Sequence, residues 1–204
     1  MIHLNDLLAT TGGQHIGPPL PSQFPAFCYD SRCINPGELF VAMRAEGGGD
    51  GHDYIPDAIQ KGAGGVLCQF PPANPSVPCI VTSDTQLALT DWSSHVLRKY
   101  DPQVIGITGS TGKTDTCQAI AAVLATRYRV FSNPPELSNR FGLPVSLARL
   151  APDHAIAVLE MACHAFEDIA HLAQLTRPHI AVVTAINHTH LAYLGSLETI
   201  AQEK

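Results

Sequence analysis

The stretch Val104-Ile105-Gly106-Ile107-Thr108-Gly109-Ser110-Thr111-Gly112-Lys113-Thr114 restricts the fold of this chain more than any other. Its apolar start, Val104 to Ile107, reads as a buried parallel strand. A small, Gly-rich turn follows, and helix-forming residues run from Gln118 to Ala125. A strand, a Gly-rich loop, Lys-Thr and a helix in that order make a phosphate cradle. Gly109 and Gly112 let the backbone take φ > 0 and turn N–H groups toward an anion. The helix N-terminus adds a field that favours negative charge. Lys113 is then placed to reach β and γ phosphates, and the Thr114 hydroxyl to ligate Mg²⁺. The general P-loop pattern asks for Gly at position 107, where this chain has Ile. The alternative is a Gly-rich turn with an incidental lysine. The flanking strand and helix favour the phosphate reading.

A chain of 204 residues has room for one or two domains with real cores. Its 45% hydrophobic and 15% charged content suits a globular fold rather than a disordered chain. The net charge of −6 argues against a general nucleic-acid binder, so a nucleotide has to be held by a local site. Cys28, Cys33, Cys68, Cys79, Cys117 and Cys163 form no C-x-x-C pair and no zinc spacing, and most lie in apolar runs. Buried free thiols are expected. Asn5 and Asp6 interrupt the early apolar stretch, so no signal peptide is expected, and no run is long enough to span a membrane. Together these features point to a cytoplasmic chain.

Leu4, Leu7 and Leu8 predict a short helix that ends at Gly12-Gly13. Phe27-Cys28 leads to the polar cluster Asp30-Ser31-Arg32, which suits either a turn cap or a polar ligand. Pro36-Gly37 marks a turn before the strand Leu39 to Ala42. A helix is expected from Tyr54 to Lys61, and strands at Gly65 to Gln69 and Cys79 to Thr82. Asp84 N-caps a helix to Tyr100 whose Leu87, Trp92, Val96 and Leu97 pack on a sheet. Asp101-Pro102 breaks that helix. The expected domains are therefore 1–101 and 102–204.

Beyond the loop, Arg129 to Phe131, Ala155 to Leu159 and Ile180 to Val183 read as strands. Pro144 opens a helix to Leu150, and Ile169 to Leu175 forms another. Glu160 stands at a strand's C-terminal end, where an open α/β sheet binds ligands. Mg²⁺ on phosphates wants such a carboxylate beside the loop hydroxyl, whereas the plain reading is a solvated Glu. His188 and His190 suit either a metal or ordinary surface and core roles. The fold class is α/β: a small α/β N-terminal domain, then a truncated P-loop domain with a mainly parallel sheet.

Thr-Gly-Ser-Thr-Gly-Lys-Thr at 108–114 resembles the ATP loop of the Mur ligases. So do Asp30-Ser31-Arg32, Pro36-Gly37-Glu38-Leu39-Phe40-Val41-Ala42, Asp50-Gly51-His52-Asp53, and Ala58 with Gly62-Ala63. Asn139-x-x-Gly142-x-Pro144, Glu160-Met161, Thr176-Arg177-Pro178, His190-Leu191 and Gly195-Ser196 continue the likeness over nearly the whole chain. The last group is similar to members that join D-alanyl-D-alanine to UDP-N-acetylmuramoyl-tripeptide.

The resemblance implies an ATP- and Mg²⁺-dependent amide-bond ligase of peptidoglycan synthesis working through an acyl phosphate. It implies that Gly109, Ser110, Thr111, Gly112, Lys113, Thr114, Asp115 and Asn139 bind ATP. Thr114, Glu160 and His190 would serve metals, with Lys113, Glu160 and His190 at the chemistry. Ser31 and Arg32 would lie near the uridine diphosphate, which suits an Arg fork. Lys204 matches a lysine carbamylated in several members. A monomer is expected. Ser138, Ala162, Ala185 and Ala192 depart from the family pattern, as does Asp115 where Thr or Ser is usual. The family is about twice as long, so the chain reads as a fragment, inactive alone, that ends at Lys204 in a fraying helix. The alternatives are the ligase adding the third peptide residue, a non-catalytic ATP- or precursor-binding module, and an unrelated P-loop kinase. The kinase leaves the upstream motifs unexplained.

Overall fold

Short apolar runs between polar turns build two units, Met1–His95 and Val96–Lys204. The structure is a computed structural model and describes residues 1–44, 49–187 and 196–204.

The first unit opens with β1 (Ile2–His3) and α1 (Leu4–Thr11), as the leucine spacing predicts. Gly12, at φ +60°, ends α1 by donating its N–H to Leu8 O at 3.1 Å. β2 (Gln14–Ile16), β3 (Gln23–Phe24), β4 (Phe27–Cys28) and β5 (Leu39–Val41) follow. A 3₁₀ turn (Gly51–Tyr54) leads into α2 (Ile55–Gln60), then come β6 (Gly65–Cys68), β7 (Cys79–Val81) and α3 (Thr85–Tyr100). The sheet order is β2-β7-β6-β5-β4. β4 to β7 are parallel neighbours, and β2 joins β7 antiparallel. β1 and β3 form a separate antiparallel ladder. Every residue of β5 and β6 is buried, which is why both read as unbroken apolar runs.

Two motifs of this unit are structural. Gly37, at φ +85°, turns the chain, and a Cβ on Gly64 would lie 2.5 Å from Gly37 O. In Asp50-Gly51-His52, Asp50 accepts the His52 N–H and binds its Nδ1, while His52 Nε2 accepts the Gln69 N–H at 2.9 Å. A Cβ on Gly51 would meet the Met43 backbone.

Asp84 caps α3, accepting the Gln86 and Leu87 N–H groups at 2.8 and 2.9 Å. The buried stripe is Thr85, Ala88, Leu89, Trp92, Ser93, Val96 and Leu97. Leu87, expected to pack, is 55% exposed because it falls outside this helical stripe. Trp92 meets Phe27 edge to face at 4.8 Å, a pairing that contributes about 0.5–1.5 kcal/mol beyond its area. The two units divide within α3, before the Asp101-Pro102 break.

In the second unit, β8 (Gln103–Thr108) leads to α4 (Lys113–Ala125) and β9 (Val130–Ser132). α5 (Gly142–Ser146) runs on as a 3₁₀ turn (Leu147–Arg149). β10 (Ile156–Glu160), α6 (Asp168–Thr176), β11 (Ile180–Val183) and α7 (Leu197–Glu203) complete it. The described strands are parallel in the order β11-β8-β10-β9. α4 starts five residues before the apolar pattern, since its first turn, Lys-Thr-Asp-Thr, is polar. Its Cys117, Ile120, Ala121 and Leu124 pack against Ile107, Ile156 and Val158 of the sheet. Cys68, Cys79, Cys117 and Cys163 are buried and all six cysteines are free, while Cys28 is half-buried and Cys33 exposed. No described helix is long and apolar enough to cross a membrane.

Chain connections leave β8 and β10 on opposite sides. The segment after β8 runs outward to β9, and the segment after β10 crosses to β11 beyond β8. The C-terminal ends of β8 and β10 thus flank a topological switch point, the place where open α/β sheets hold ligands.

Candidate functional site

The Gly-rich loop sits at that switch point, between Thr108 of β8 and Lys113 of α4. Gly109 takes φ +139°, and a Cβ there would collide with Thr184 Oγ1. Gly112, at φ +79°, is the N-cap of α4. These are the two positions where the loop requires glycine.

The segment after β11 grips this loop. Ser110 N donates to Ala185 O at 2.8 Å, and Asn187 N donates to Ser110 Oγ at 3.0 Å. Thr184 Oγ1 donates to Thr111 O at 2.6 Å, and Asn187 Nδ2 to Thr111 Oγ1 at 3.1 Å. Neither Thr184 nor Asn187 was singled out from the sequence. Ala185, a departure from the family pattern, contributes through its carbonyl, which any residue supplies.

Glu160 ends β10 in register with Ile107 of β8. It is 5% exposed, and its Oε2 accepts the Thr114 hydroxyl at 2.9 Å. The solvated reading of Glu160 is therefore wrong: parallel pairing draws the carboxylate under the loop. Among the described residues no three His, Cys, Asp or Glu side chains cluster as a metal site. A buried carboxylate oxygen and a hydroxyl that converge suit Mg²⁺, which binds through one or two protein oxygens and takes the rest from phosphate and water. Asn133, buried beside them, accepts the Glu160 N–H at 2.8 Å and donates to Glu160 O at 3.1 Å. Asn133 was not singled out from the sequence. Thr114, Gln118, Ser132, Asn133, Pro135 and Glu160 line a cleft of about 230 Å³.

Lys113 curls back, its Nζ donating to Gly109 O at 2.9 Å. Burial pushes its ammonium below the ordinary lysine value, and nearby Lys204 adds to this, against the pull of Glu160 and Cys163. Lys204 Nζ donates to Cys163 Sγ at 2.8 Å. Next to it, buried Glu203 accepts the N–H groups of Glu167 and Ile169 at 2.7 and 2.8 Å. The end expected to fray is thus tied to the start of α6.

Asp115 is exposed in the first turn of α4, where a negative charge suits the helix dipole. Asn139 does not line the cleft. Its Oδ1 accepts the Phe141 and Gly142 N–H groups at 3.0 and 2.8 Å, capping α5. Ser138 O accepts the Ala162 N–H at 2.9 Å, a backbone contact indifferent to either side chain. His188, His190 and Ala192 lie outside the described residues.

In the first unit, Tyr29, Asp30, Ser31, Arg32, Tyr54 and Asp57 line a cavity of about 610 Å³. Arg32 grips Asp30 through Nε and Nη2 at 2.9 and 2.7 Å, which holds the Asp30 carboxyl down to about 2. Asp57, held below its ordinary value by Ser31 and then Lys61, was not foreseen, nor were the two tyrosines. Asp30-Ser31-Arg32 thus forms both a turn and one wall of a cavity.

Residues 107–204 match the Mur ligase middle domain. Over 192 residues the chain is 35% identical to the UDP-N-acetylmuramoyl-tripeptide–D-alanyl-D-alanine ligase of Treponema pallidum, covering 89% of this chain and 42% of that one. MurF from Acinetobacter baumannii superposes with a TM-score of 0.88 at 25% identity, over 100% of this chain and 45% of that one. MurF ligase from Thermotoga maritima, solved in complex with ADP, gives 0.75 at 30% identity, over 87% and 41%. This chain spans about two-fifths of the length of the curated relatives it matches. The loop, the switch-point carboxylate and these matches agree, and the chain belongs to the Mur ligase family.

Proposed function

We propose that this chain supplies the ATP-binding and precursor-binding parts of a cytoplasmic ligase that joins D-alanyl-D-alanine to UDP-N-acetylmuramoyl-tripeptide. The observation that carries the reading is Thr114 Oγ1 set 2.9 Å from Glu160 Oε2 beneath a Gly-rich loop. Relatives with that ligase name align along most of the chain. Residues 102–204 hold ATP, and residues 1–101 hold the uridine diphosphate end beside Ser31 and Arg32.

The tripeptide carboxylate takes the γ-phosphoryl group of ATP, releasing ADP. The amine of D-alanyl-D-alanine then attacks the acyl phosphate, giving the amide, phosphate and a proton. A carboxylate is a poor electrophile, so phosphorylation supplies its leaving group. The loop amides and the α4 N-terminus hold the phosphates, and Lys113 swings from Gly109 O to meet developing charge. Thr114 and Glu160 would hold Mg²⁺, which when bound would neutralise phosphate charge. By family likeness Asp115 touches the nucleotide, and His190 serves a second metal. A carbamate on Lys204 would set a negative charge against Lys113.

Titration calorimetry of residues 1–204 tests this with Mg·ATP and with UDP-muramoyl precursors. Binding of Mg·ATP, and of the tripeptide precursor ahead of the dipeptide precursor, supports it. Preference for the dipeptide precursor moves the assignment to the ligase adding the third residue. No binding of either ligand overturns it. Full turnover is not expected from a span of about two-fifths of the relatives' length.

A further inference from the structure

β9 stops two residues short of where its neighbour needs it. Its last ladder pair with β10 is Val158↔Ser132, yet β10 runs on to Glu160. Beyond Ser132 the chain reads Asn133-Pro134-Pro135, and prolines have no N–H to give a ladder. On that side the Glu160 peptide groups would be buried and unpaired.

The side chain of Asn133 takes the place of the missing strand. Its Oδ1 accepts the Glu160 N–H at 2.8 Å, and its Nδ2 donates to Glu160 O at 3.1 Å. The same Nδ2 donates to Leu137 O at 3.1 Å, so the 3₁₀ turn Pro135–Leu137 is tied to the same point. A primary amide carries the donor and acceptor of a peptide group, which makes Asn suited to both bonds at once. Asn133 is 7% exposed, so each bond made here satisfies a buried group.

We infer that Asn133 is a positioning residue: its amide extends the β9–β10 ladder to Glu160 and thereby aims the carboxylate at Thr114 and at a divalent cation on the nucleotide. The inference rests on the ATP-site reading above. Groups that orient a metal ligand commonly change metal affinity by about 10- to 100-fold when removed. The Asn133 amide is spent on backbone groups of Glu160 and Leu137, so affinity for metal-free nucleotide should be independent of it.

The test uses residues 1–204 with Asn133→Ala and Asn133→Asp, the latter keeping the acceptor and losing the donor. Binding of fluorescent ADP is measured in EDTA and across a Mg²⁺ titration. The expected result is a Mg²⁺ midpoint raised roughly tenfold or more in Asn133→Ala, less in Asn133→Asp, with metal-free affinity within about twofold of wild type. Equal losses with and without Mg²⁺, or an unchanged midpoint, overturn the inference. Amide exchange at Glu160 is read in parallel. Faster exchange in Asn133→Ala supports the ladder role, and unchanged protection sinks it. If Asn133→Ala does not fold, Asn133→Asp decides by the same midpoint. If wild type binds no nucleotide, the ATP-site reading falls with the metal part of the inference, and Glu160 exchange alone decides the ladder role.

Discussion

Thr114 Oγ1 lies 2.9 Å from Glu160 Oε2, although 46 residues separate them in the chain. The first sits at the start of α4 and the second at the end of β10, and parallel pairing of β8 with β10 brings those ends together. Thr114→Val removes the hydroxyl at nearly constant volume. It should lower Mg²⁺-dependent ATP affinity by roughly tenfold, the scale of one hydrogen bond to a charged group. Glu160→Gln should do at least as much. Calorimetry with and without Mg²⁺ checks this, and Mg²⁺ dependence equal to wild type in both variants counts against the site.

Lys113 is held below the ordinary lysine value by burial first and Lys204 second. Between the folded and unfolded values the folded chain binds fewer protons, so its stability rises with pH there. Replacing the lysine removes that slope. The Tm of wild type should therefore gain on that of Lys113→Met as pH rises from ~7 toward ~10.4. ATP affinity in the variant should fall by roughly ten- to hundredfold. A flat Tm difference across that range contradicts the burial argument, and retained affinity contradicts the phosphate role.

Glu167, the N-cap of α6, sits at φ +71°, in the left-handed region that a side chain disfavours by roughly 1–2 kcal/mol. Glycine removes that strain and adds unfolded-chain freedom worth about 0.5–1 kcal/mol. Glu167→Gly, which keeps the N–H donated to Glu203, should stabilise the protein by up to about 1 kcal/mol. A urea midpoint that moves upward at constant m-value is the expected outcome. A lower midpoint would show that the Glu167 side chain makes a stabilising contact.

Arg32 holds Asp30 at about 2 through its guanidinium and its own N–H. A depressed carboxyl favours folding above its unfolded value, and the contribution fades as pH falls through the folded value. Arg32→Ala removes the guanidinium and keeps the backbone N–H, so Asp30 should return part of the way toward ~3.9, read by carbon NMR of the carboxyl. Affinity for the UDP-precursor should drop in the same variant, and at pH 7 Asp30 stays ionised in both. An Asp30 still titrating near 2 in Arg32→Ala would point to another partner.

The elements nearest the site were readable because each rests on local chemistry. Unbroken apolar runs mark β8 and β10, glycines with Lys-Thr mark the loop, and Glu160 closes its own run. α4 was drawn too short because periodicity carries no signal in a polar first turn. Leu87 was misplaced because single leucines do not set the angle of a helical stripe. Asn139 reads as a site residue in the family pattern, yet its carbonyl oxygen is spent on capping α5.

The sequence by itself determined the α/β class, the phosphate loop and the family, since these follow from nearest-neighbour residues and their spacing. Only the tertiary structure decided that Asn133 extends the ladder to Glu160, that Thr184 and Asn187 grip the loop, and that Lys204 stands beside Cys163. These pairs lie far apart along the chain and meet through strand order and register. Both are settled by how whole faces bury against one another, and no single residue's preference encodes them.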